Sequence, residues 1–324
     1  MDTPLVAVTD SVFPSLEPAR QVLSALQAKV SLAEEPTPEA ILKVARQADG
    51  LLVTYAKVTA DIIRQLERCR VIGRFGIGVD NVDIEAATRA GIVVTYVPDY
   101  CLDEVSDHAL ALLLALARKI PYANRLVHAG RWDMRAVVPL HRLRGRTLGL
   151  VGFGKIPQLL APKAQALGLK VITFDPYIAD EVTQSFGVER LDFESLLRRS
   201  DYISVHAPLT PETHHLFNAA AFERMKPGAL LINTARGPLV DDHALAAALD
   251  AGHLAGAALD VMPVEPPPPD SPLLGRDNVI LTPHTAFYSE ESLLDLQTKA
   301  AQDVARVLQG ETPRYPVNPQ VLEP

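Results

Sequence analysis

Thr147-Leu-Gly-Leu-Val-Gly152-Phe-Gly154-Lys-Ile-Pro157 decides how the rest of the chain is read. A short apolar run, a glycine turn and a helical pattern follow one another, which predicts a strand–loop–helix unit. Glycines at such a turn let the backbone approach a pyrophosphate at the helix N-terminus. The next apolar run, Lys170–Phe174, ends in Asp175, 21 residues past Gly154. An acid there accepts hydrogen bonds from ribose hydroxyls and repels a 2′-phosphate. Pro176, Tyr177 and Ile178 bring no arginine beside it. The spacing therefore predicts a site for NAD rather than NADP, with Gly152, Gly154 and Asp175 in contact. A Gly-x-Gly pair alone is common; the strand before it, the helix after it and the acid beyond give it weight. Pro157 departs from the glycine or alanine usual at the third position. Proline is tolerated in a first helical turn, but it adds bulk where helix meets sheet. Pro162 lies further along the same helix and is placed to kink it.

Strand–helix alternation continues on both sides of this unit. Upstream, strands are expected at Leu5–Thr9, Leu51–Thr54, Val71–Arg74 and Ile92–Thr95. Helices are expected near Pro18–Gln27, Pro38–Ala48, Thr59–Leu66 and Ile84–Ala90. A long helix follows over Leu102–Lys119, apolar nearly all round from Ala109 to Ala117, with Pro121 after its end. Downstream, strands are expected at Tyr202–His206, Ala229–Asn233, Gly256–Val261 and Val279–Leu281. Alternation of this kind predicts parallel sheets covered by helices on both faces. The last helix, Ser289–Leu308, has no strand after it and is expected to pack back on the first lobe. The fold class is thus α/β with two doubly wound domains. A Rossmann domain at 101–287 is expected to be inserted into a flavodoxin-like domain of 1–100 and 288–324.

The chain has 324 residues, enough for two domains. Apolar residues make up 48%, which argues against disorder. The net charge of -8 disfavours nucleic acid as a direct partner, since phosphate binding needs a basic face. Cys69 and Cys101 sit in no CxxC or Cys/His cluster, so no metal site is indicated. The longest apolar run has nine residues, Ala109–Ala117, too few to cross a bilayer. No signal-peptide pattern precedes the Leu5–Val8 run, and a cytoplasmic location is expected.

Three polar residues follow strand-like runs. In Leu230-Leu-Ile-Asn-Thr-Ala-Arg236-Gly237 an apolar run ends in small polar residues and one arginine. Open α/β sheets bind ligands at strand carboxyl ends, and a guanidinium there can grip a carboxylate with two hydrogen bonds. The plain alternative is a surface arginine in a salt bridge. His284 follows Val279-Ile-Leu-Thr-Pro283 and can give or take a proton near neutrality. Glu265 lies in a stretch, Pro263 to Pro272, with six prolines. It would accept a hydrogen bond from His284; an ordinary loop carboxylate is its alternative reading. Asp260 ends a strand within reach of a nicotinamide carboxamide. In the first lobe, Arg74-Phe-Gly76-Ile77-Gly78 offers backbone N–H groups and a charge for an anion, or else a loop chosen for geometry alone. His108 and His206 read as helix or loop residues, and His214-His215 as solvated.

With these motifs placed, the chain resembles the D-isomer-specific 2-hydroxyacid dehydrogenases over nearly its whole length. The stretches that carry the likeness are Gly152-Phe-Gly154-Lys-Ile, Phe174-Asp175-Pro-Tyr177, His206-Ala-Pro-Leu-Thr210, Asn233-Thr-Ala-Arg236-Gly, Ala258-Leu-Asp260-Val and Thr282-Pro-His284-Thr-Ala. Val97-Pro-Asp-Tyr-Cys101 and Phe287-Tyr-Ser-Glu290 are similar to the branch containing the C-terminal-binding proteins. Val71-Ile-Gly-Arg74 and Gly76-Ile-Gly-Val-Asp-Asn-Val82 are similar to D-3-phosphoglycerate dehydrogenases. The resemblance implies Arg236, Glu265 and His284 as the catalytic set. It implies cofactor contacts from Lys155, Ile156, Asp175, Thr234, Ala235 and Asp260, with loop contacts near His206, Pro208 and Thr213. Arg236 and His284 would face cofactor as well as substrate. Substrate contacts would come from Arg74, Gly76, Ile77, Gly78, Arg236 and Phe287, the last an aromatic wall where the corepressors carry tryptophan.

The expected activity is NAD-dependent hydride transfer between nicotinamide and C2 of a small D-2-hydroxy or 2-keto acid. Its rivals are an NAD(H)-sensing scaffold of the C-terminal-binding-protein type and a D-3-phosphoglycerate dehydrogenase. Members of the family are usually dimers joined through the nucleotide domain, which places Tyr122–Val138, with Trp132, in that region.

Overall fold

The computed structural model describes residues 3–323. In chain order, the first part runs β1 (Leu5–Val8), α1 (Glu17–Ser24), β2 (Lys29–Leu32), α2 (Pro38–Ala45), β3 (Gly50–Val53), α3 (Ala60–Ile63), β4 (Val71–Arg74), α4 (Ile84–Arg89) and β5 (Val93–Thr95). The middle part begins with α5 (Leu102–Ala117), α6 (Ile120–His128), β6 (Thr147–Val151), α7 (Lys155–Ala166), β7 (Lys170–Phe174), α8 (Asp180–Ser185) and β8 (Glu189–Arg190). It continues through α9 (Phe193–Arg199), β9 (Tyr202–Val205), α10 (Ala219–Arg224), β10 (Ala229–Asn233), α11 (Asp242–Asp250), β11 (Leu254–Leu259) and β12 (Val279–Leu281). α12 (Glu290–Leu308) follows. Contacts divide the chain into two compact units, 1–100 with 289–324, and 101–288.

The first unit is a five-stranded parallel sheet in the order β2-β1-β3-β4-β5. That order is the flavodoxin-like one. The inner strands β3 and β4 are buried at every residue, which is why they read as unbroken apolar runs. One face packs on a core that includes Ile41, Leu51, Val53, Ile62 and Ile72. α12 packs against α1, β3 and β4, and its start is fixed by a capping box between Ser289 and Ser292. Beyond α12, Val317 N–H bonds to Val94 O at 2.7 Å. Asn318 Oδ1 accepts from Val94 N at 2.7 Å, so the C-terminal segment clips the β5 edge.

The second unit is a seven-stranded parallel sheet in the order β12-β11-β10-β9-β6-β7-β8. Numbered within the unit, the order is 3-2-1-4-5-6 with one more strand at the end, the Rossmann arrangement. Its strand order reverses at β6. α5 packs on α7, β10 and β11, and contributes Ala109, Leu112, Leu113 and Leu116 to one core face with Leu148, Leu150 and Ile232. The other face is built around Ile203, Val205, Leu231, Phe217 and Phe222.

Several elements differ from the sequence expectation. β2 and β8 were not foreseen. Both are sheet edges with exposed or half-exposed residues, so they lack the apolar run that betrays a central strand. Pro121 follows the end of α5, as expected, and there it occupies the first turn of a further helix, α6, whose N-cap is Lys119. Proline fits there because that N–H has no helical partner. β11 starts two residues earlier than expected, at Leu254. α7 runs unbroken through Pro162, which faces solvent.

Candidate active site

All strands of the seven-stranded sheet point one way, so its loops after β6, β7, β9, β10, β11 and β12 share one edge. The β10 exit is shaped by Asn233, which is fully buried. Its side chain accepts from Ala235 N at 3.0 Å and donates to Arg236 O at 2.8 Å, closing a turn that presents Arg236. Gly237 comes next. A Cβ on it would stand 2.0 Å from the Met262 carbonyl carbon, so only glycine lets this turn lie against the backbone after β11. That contact brings Arg236 beside the loop that carries Glu265.

Glu265 Oε1 accepts from Met262 N at 2.9 Å, which ties the proline-rich loop to the strand end. Its other oxygen lies 2.7 Å from His284 Nδ1. Burial pushes the Glu265 carboxyl upward, but the His284 hydrogen bond and charge, the Met262 amide and the Arg236 guanidinium outweigh it and hold it below the usual value. An ionised carboxylate on Nδ1 leaves Nε2 as the working nitrogen of His284. The Phe287 ring meets the imidazole edge-on, with centroids 6.1 Å apart. Glu265 and His284 touch, and the Arg236 charge acts on the same carboxylate, so these three groups lie together in one unit.

Asp260 is 1% exposed and is turned toward the neighbouring loop. Oδ1 accepts from Thr282 Oγ1 at 2.6 Å and Thr285 N at 2.9 Å, and Oδ2 from Ala286 N at 2.8 Å. The carboxylate expected at the carboxamide is occupied chiefly in bracing the segment around His284. Sequence reasoning also missed His108, whose Nε2 lies 3.1 Å from Thr282 Oγ1; nothing in a helical register announces a partner 174 residues away.

The nucleotide end fits NAD. Gly152 has φ +94, and a Cβ there would approach His206 O to 2.9 Å. Gly154 is the N-cap of α7 and has nothing within 4 Å of its Cβ direction, a cradle open toward a ligand. The N–H groups of Lys155 and Ile156, in the first helical turn, have no helical acceptor. Pro157 is buried in that turn and removes one further donor. Asp175 Oδ2 accepts from Phe153 N at 2.8 Å, and Oδ1 from Tyr177 N at 2.9 Å and Ile178 N at 3.1 Å. Its charge and the acceptor site left on Oδ2 suit a ribose hydroxyl. Arg190, absent from the sequence reading, reaches the same loop and donates to Ile178 O at 3.2 Å, while pairing with Asp180 at 2.6 Å. The Thr234 hydroxyl is buried without a hydrogen-bond partner, the mark of a group awaiting a ligand; Ala235 stands beside it. His206 bonds to Ser204 Oγ at 2.8 Å, and burial lowers its pKa to about 4, so it is neutral at pH 7. Thr213 Oγ1 closes the next turn onto Pro208 O at 2.7 Å.

In the first unit, Arg74 is 7% exposed. Its guanidinium donates to Phe75 O and lies over Gly76. The side chain expected to extend toward an anion is folded onto its own turn, next to Ile77 and Gly78. His214 and His215 are exposed and stacked, with centroids 4.0 Å apart. Both cysteines are free. A cavity of about 250 Å³ lies at the opposite, amino-terminal edge of the seven-stranded sheet, lined by Lys119, Tyr122, Arg125, His141 and Tyr202 among others. It holds none of the catalytic candidates.

Residues 110–286 match the family model described as "D-isomer specific 2-hydroxyacid dehydrogenase, NAD binding domain". A D-3-phosphoglycerate dehydrogenase of Archaeoglobus fulgidus is 41% identical over 286 residues, covering 88% of this chain and 54% of that protein. The chain thus spans little more than half the length of that relative. A glyoxylate reductase of Korarchaeum cryptofilum is 36% identical over 293 residues, covering 89% of this chain and 88% of that one. Among solved structures, D-lactate dehydrogenase from Aquifex aeolicus complexed with NAD and lactic acid superposes with a TM-score of 0.89 at 27% identity, over 97% of this chain and 99% of that one.

Proposed function

The chain belongs to the D-isomer-specific 2-hydroxyacid dehydrogenase family, and from that premise we propose that it interconverts a small D-2-hydroxy acid and its 2-keto acid with NAD. The observation that carries the reading is the 2.7 Å His284–Glu265 pair with Arg236 acting on the same carboxylate. When bound, the cofactor supplies or accepts the hydride. Arg236 binds the substrate carboxylate and polarises the C2 oxygen. His284 Nε2 gives that oxygen its proton during reduction and takes it back during oxidation. Glu265 fixes the imidazole's tautomer and orientation through that hydrogen bond. Phe287 walls the pocket. Gly152, Gly154, Lys155 and Ile156 hold the pyrophosphate, Asp175 the ribose, and Thr234, Ala235 and Asp260 the nicotinamide side. His206, Pro208 and Thr213 line the adenosine flank. In the first unit the Gly76 N–H is taken by Arg74 O at 2.9 Å, which leaves Ile77 and Gly78 as that loop's amide donors for an anion.

Both an unphosphorylated and a phosphorylated 2-keto acid fit this reading, since Arg74, like Arg236, donates to a neighbouring backbone carbonyl. Relatives named D-3-phosphoglycerate dehydrogenase keep the phosphorylated alternative in the test. The working form is a cytoplasmic homodimer joined through 122–138, where Trp132 is 89% and Met134 78% exposed; no described helix is long and apolar enough to cross a membrane. The same exposed segment suits the scaffold reading, in which NAD(H) governs assembly. Purified protein with NADH, assayed against glyoxylate, pyruvate, longer 2-keto acids and phosphohydroxypyruvate, separates the readings. Oxidation of NADH by unphosphorylated keto acids supports the proposal. A change of oligomeric mass with NADH, and no keto acid reduced, supports the scaffold.

A further inference from the structure

We propose that His108 is a positioning residue for His284, acting through Thr282 and Asp260; this rests on the reading of His284 as proton carrier. His108 Nε2 lies 3.1 Å from Thr282 Oγ1 and 3.5 Å from Asp260 Oδ1. The Thr282 hydroxyl has one proton, and the 2.6 Å contact to Asp260 uses it. Its oxygen must therefore accept from His108, which requires a proton on His108 Nε2. The result is a directed chain: imidazole N–H to threonine hydroxyl, hydroxyl to buried carboxylate.

That carboxylate is the anchor of the catalytic loop. It accepts the N–H groups of Thr285 and Ala286, and the Asp260 carbonyl accepts His284 N at 2.8 Å. His284 itself has φ +52, in the left-handed region that a non-glycine residue adopts only when its surroundings enforce it. Thr282 on one side and Thr285 and Ala286 on the other both hang from Asp260. His108, on α5, is the contact that orients the Thr282 hydroxyl from outside the loop. Without it the hydroxyl is free to turn from Asp260 toward water, and one arm of the brace is released. A second histidine–carboxylate pair thus stands behind the catalytic one and sets its geometry without touching substrate.

Three variants test this. His108→Leu is expected to lower kcat about tenfold, the worth of one hydrogen bond to a charged network expressed in the barrier, with KM for NADH nearly unchanged. His108→Gln, whose amide N–H reaches the Nε2 position, restores most of kcat. Thr282→Val breaks the same chain and gives a loss that does not add to that of His108→Leu. Diethylpyrocarbonate labelling of His284, mapped by peptide mass, reads the loop without any substrate. It is expected to run several-fold faster in His108→Leu and at the wild-type rate in His108→Gln. Wild-type kcat and labelling in His108→Leu, or a His108→Gln variant as impaired as His108→Leu at equal melting temperature, overturns the proposal. If the wild type reduces no 2-keto acid, the dehydrogenase reading fails, and the labelling still decides whether His108 holds the loop.

Discussion

The carboxyl edges of the two sheets use polar side chains with a different emphasis. On both, some bond backbone, as Arg236, Asn233 and Asp175 do on the seven-stranded sheet; on the five-stranded sheet most do, with Asp99 paired instead to Lys299 and Tyr315. Asp10 accepts from Thr54 N at 3.1 Å and Tyr55 N at 2.6 Å. Asn81 donates to Thr54 O and Ala56 O at 3.1 and 3.0 Å, and Arg74 donates to Phe75 O. On the seven-stranded sheet side chains meet each other: His284 with Glu265, Thr282 with Asp260, and His108 with Thr282. A side chain bonded to backbone fixes a loop and its amides. A side chain bonded to another titratable side chain can hold a proton at a chosen atom. The first kind of contact holds loops in place, and the second can place a proton.

Substitutions on the second edge should therefore cost turnover, and those on the first should cost stability or affinity. His284→Ala should show the largest effect, a fall in kcat on the order of 10²–10⁴, measured under saturating NADH. Gly237→Ala comes next. Its Cβ would overlap the Met262 carbonyl, so the turn must move, with a loss of about 1–3 kcal/mol in stability and a larger fractional loss in kcat/KM. Denaturant unfolding alongside kinetics separates the two. Asp10→Ala should cost about 1–2 kcal/mol in urea unfolding, since two loop amides lose their acceptor. If instead it abolished turnover as His284→Ala does, the contrast between the edges would be wrong.

The smallest effect concerns pH. His206 has a folded pKa of about 4, below the usual 6.5. Between those values the unfolded chain takes up a proton that the folded chain refuses, so stability falls as pH drops through that window. Asp242 is raised by burial from 3.8 to about 6. It works the other way, with stability lost as pH rises from 3.8 to 6. The two partly cancel in the wild type. His206→Asn, measured without cofactor, should leave a shallower acid-side fall in melting temperature than the parent. An unchanged slope would mean that His206 is not held neutral by the fold.

Much of this was legible in the chain because central parallel strands must be apolar on both faces. Val71–Arg74 and Thr147–Val151 were placed to the residue, and Ala229–Asn233 likewise. Strand exits then located Arg236, Glu265 and His284. β2 and β8 were invisible because edge strands need no apolar run, and Glu189–Arg190 is exposed at both residues. Asn233 could have been found, since an asparagine ending a buried strand needs partners for its amide. His108 and Arg190 could not: their partners are distant in sequence, and only the packing of α5 on the sheet and of β8 beside β7 supplies them. Arg74 ends β4 as the pattern implies, but the direction of its side chain depends on a torsion that no sequence pattern encodes.

The most direct test mixes purified protein, NADH and a 2-keto acid and resolves the hydroxy acid product by chiral chromatography. The expected result is a single D-2-hydroxy acid formed in step with NADH oxidation, at least about a hundredfold slower in His284→Ala. Formation of the L-isomer, or equal rates in wild type and His284→Ala, would contradict the assignment of His284 as proton carrier in a D-specific dehydrogenase.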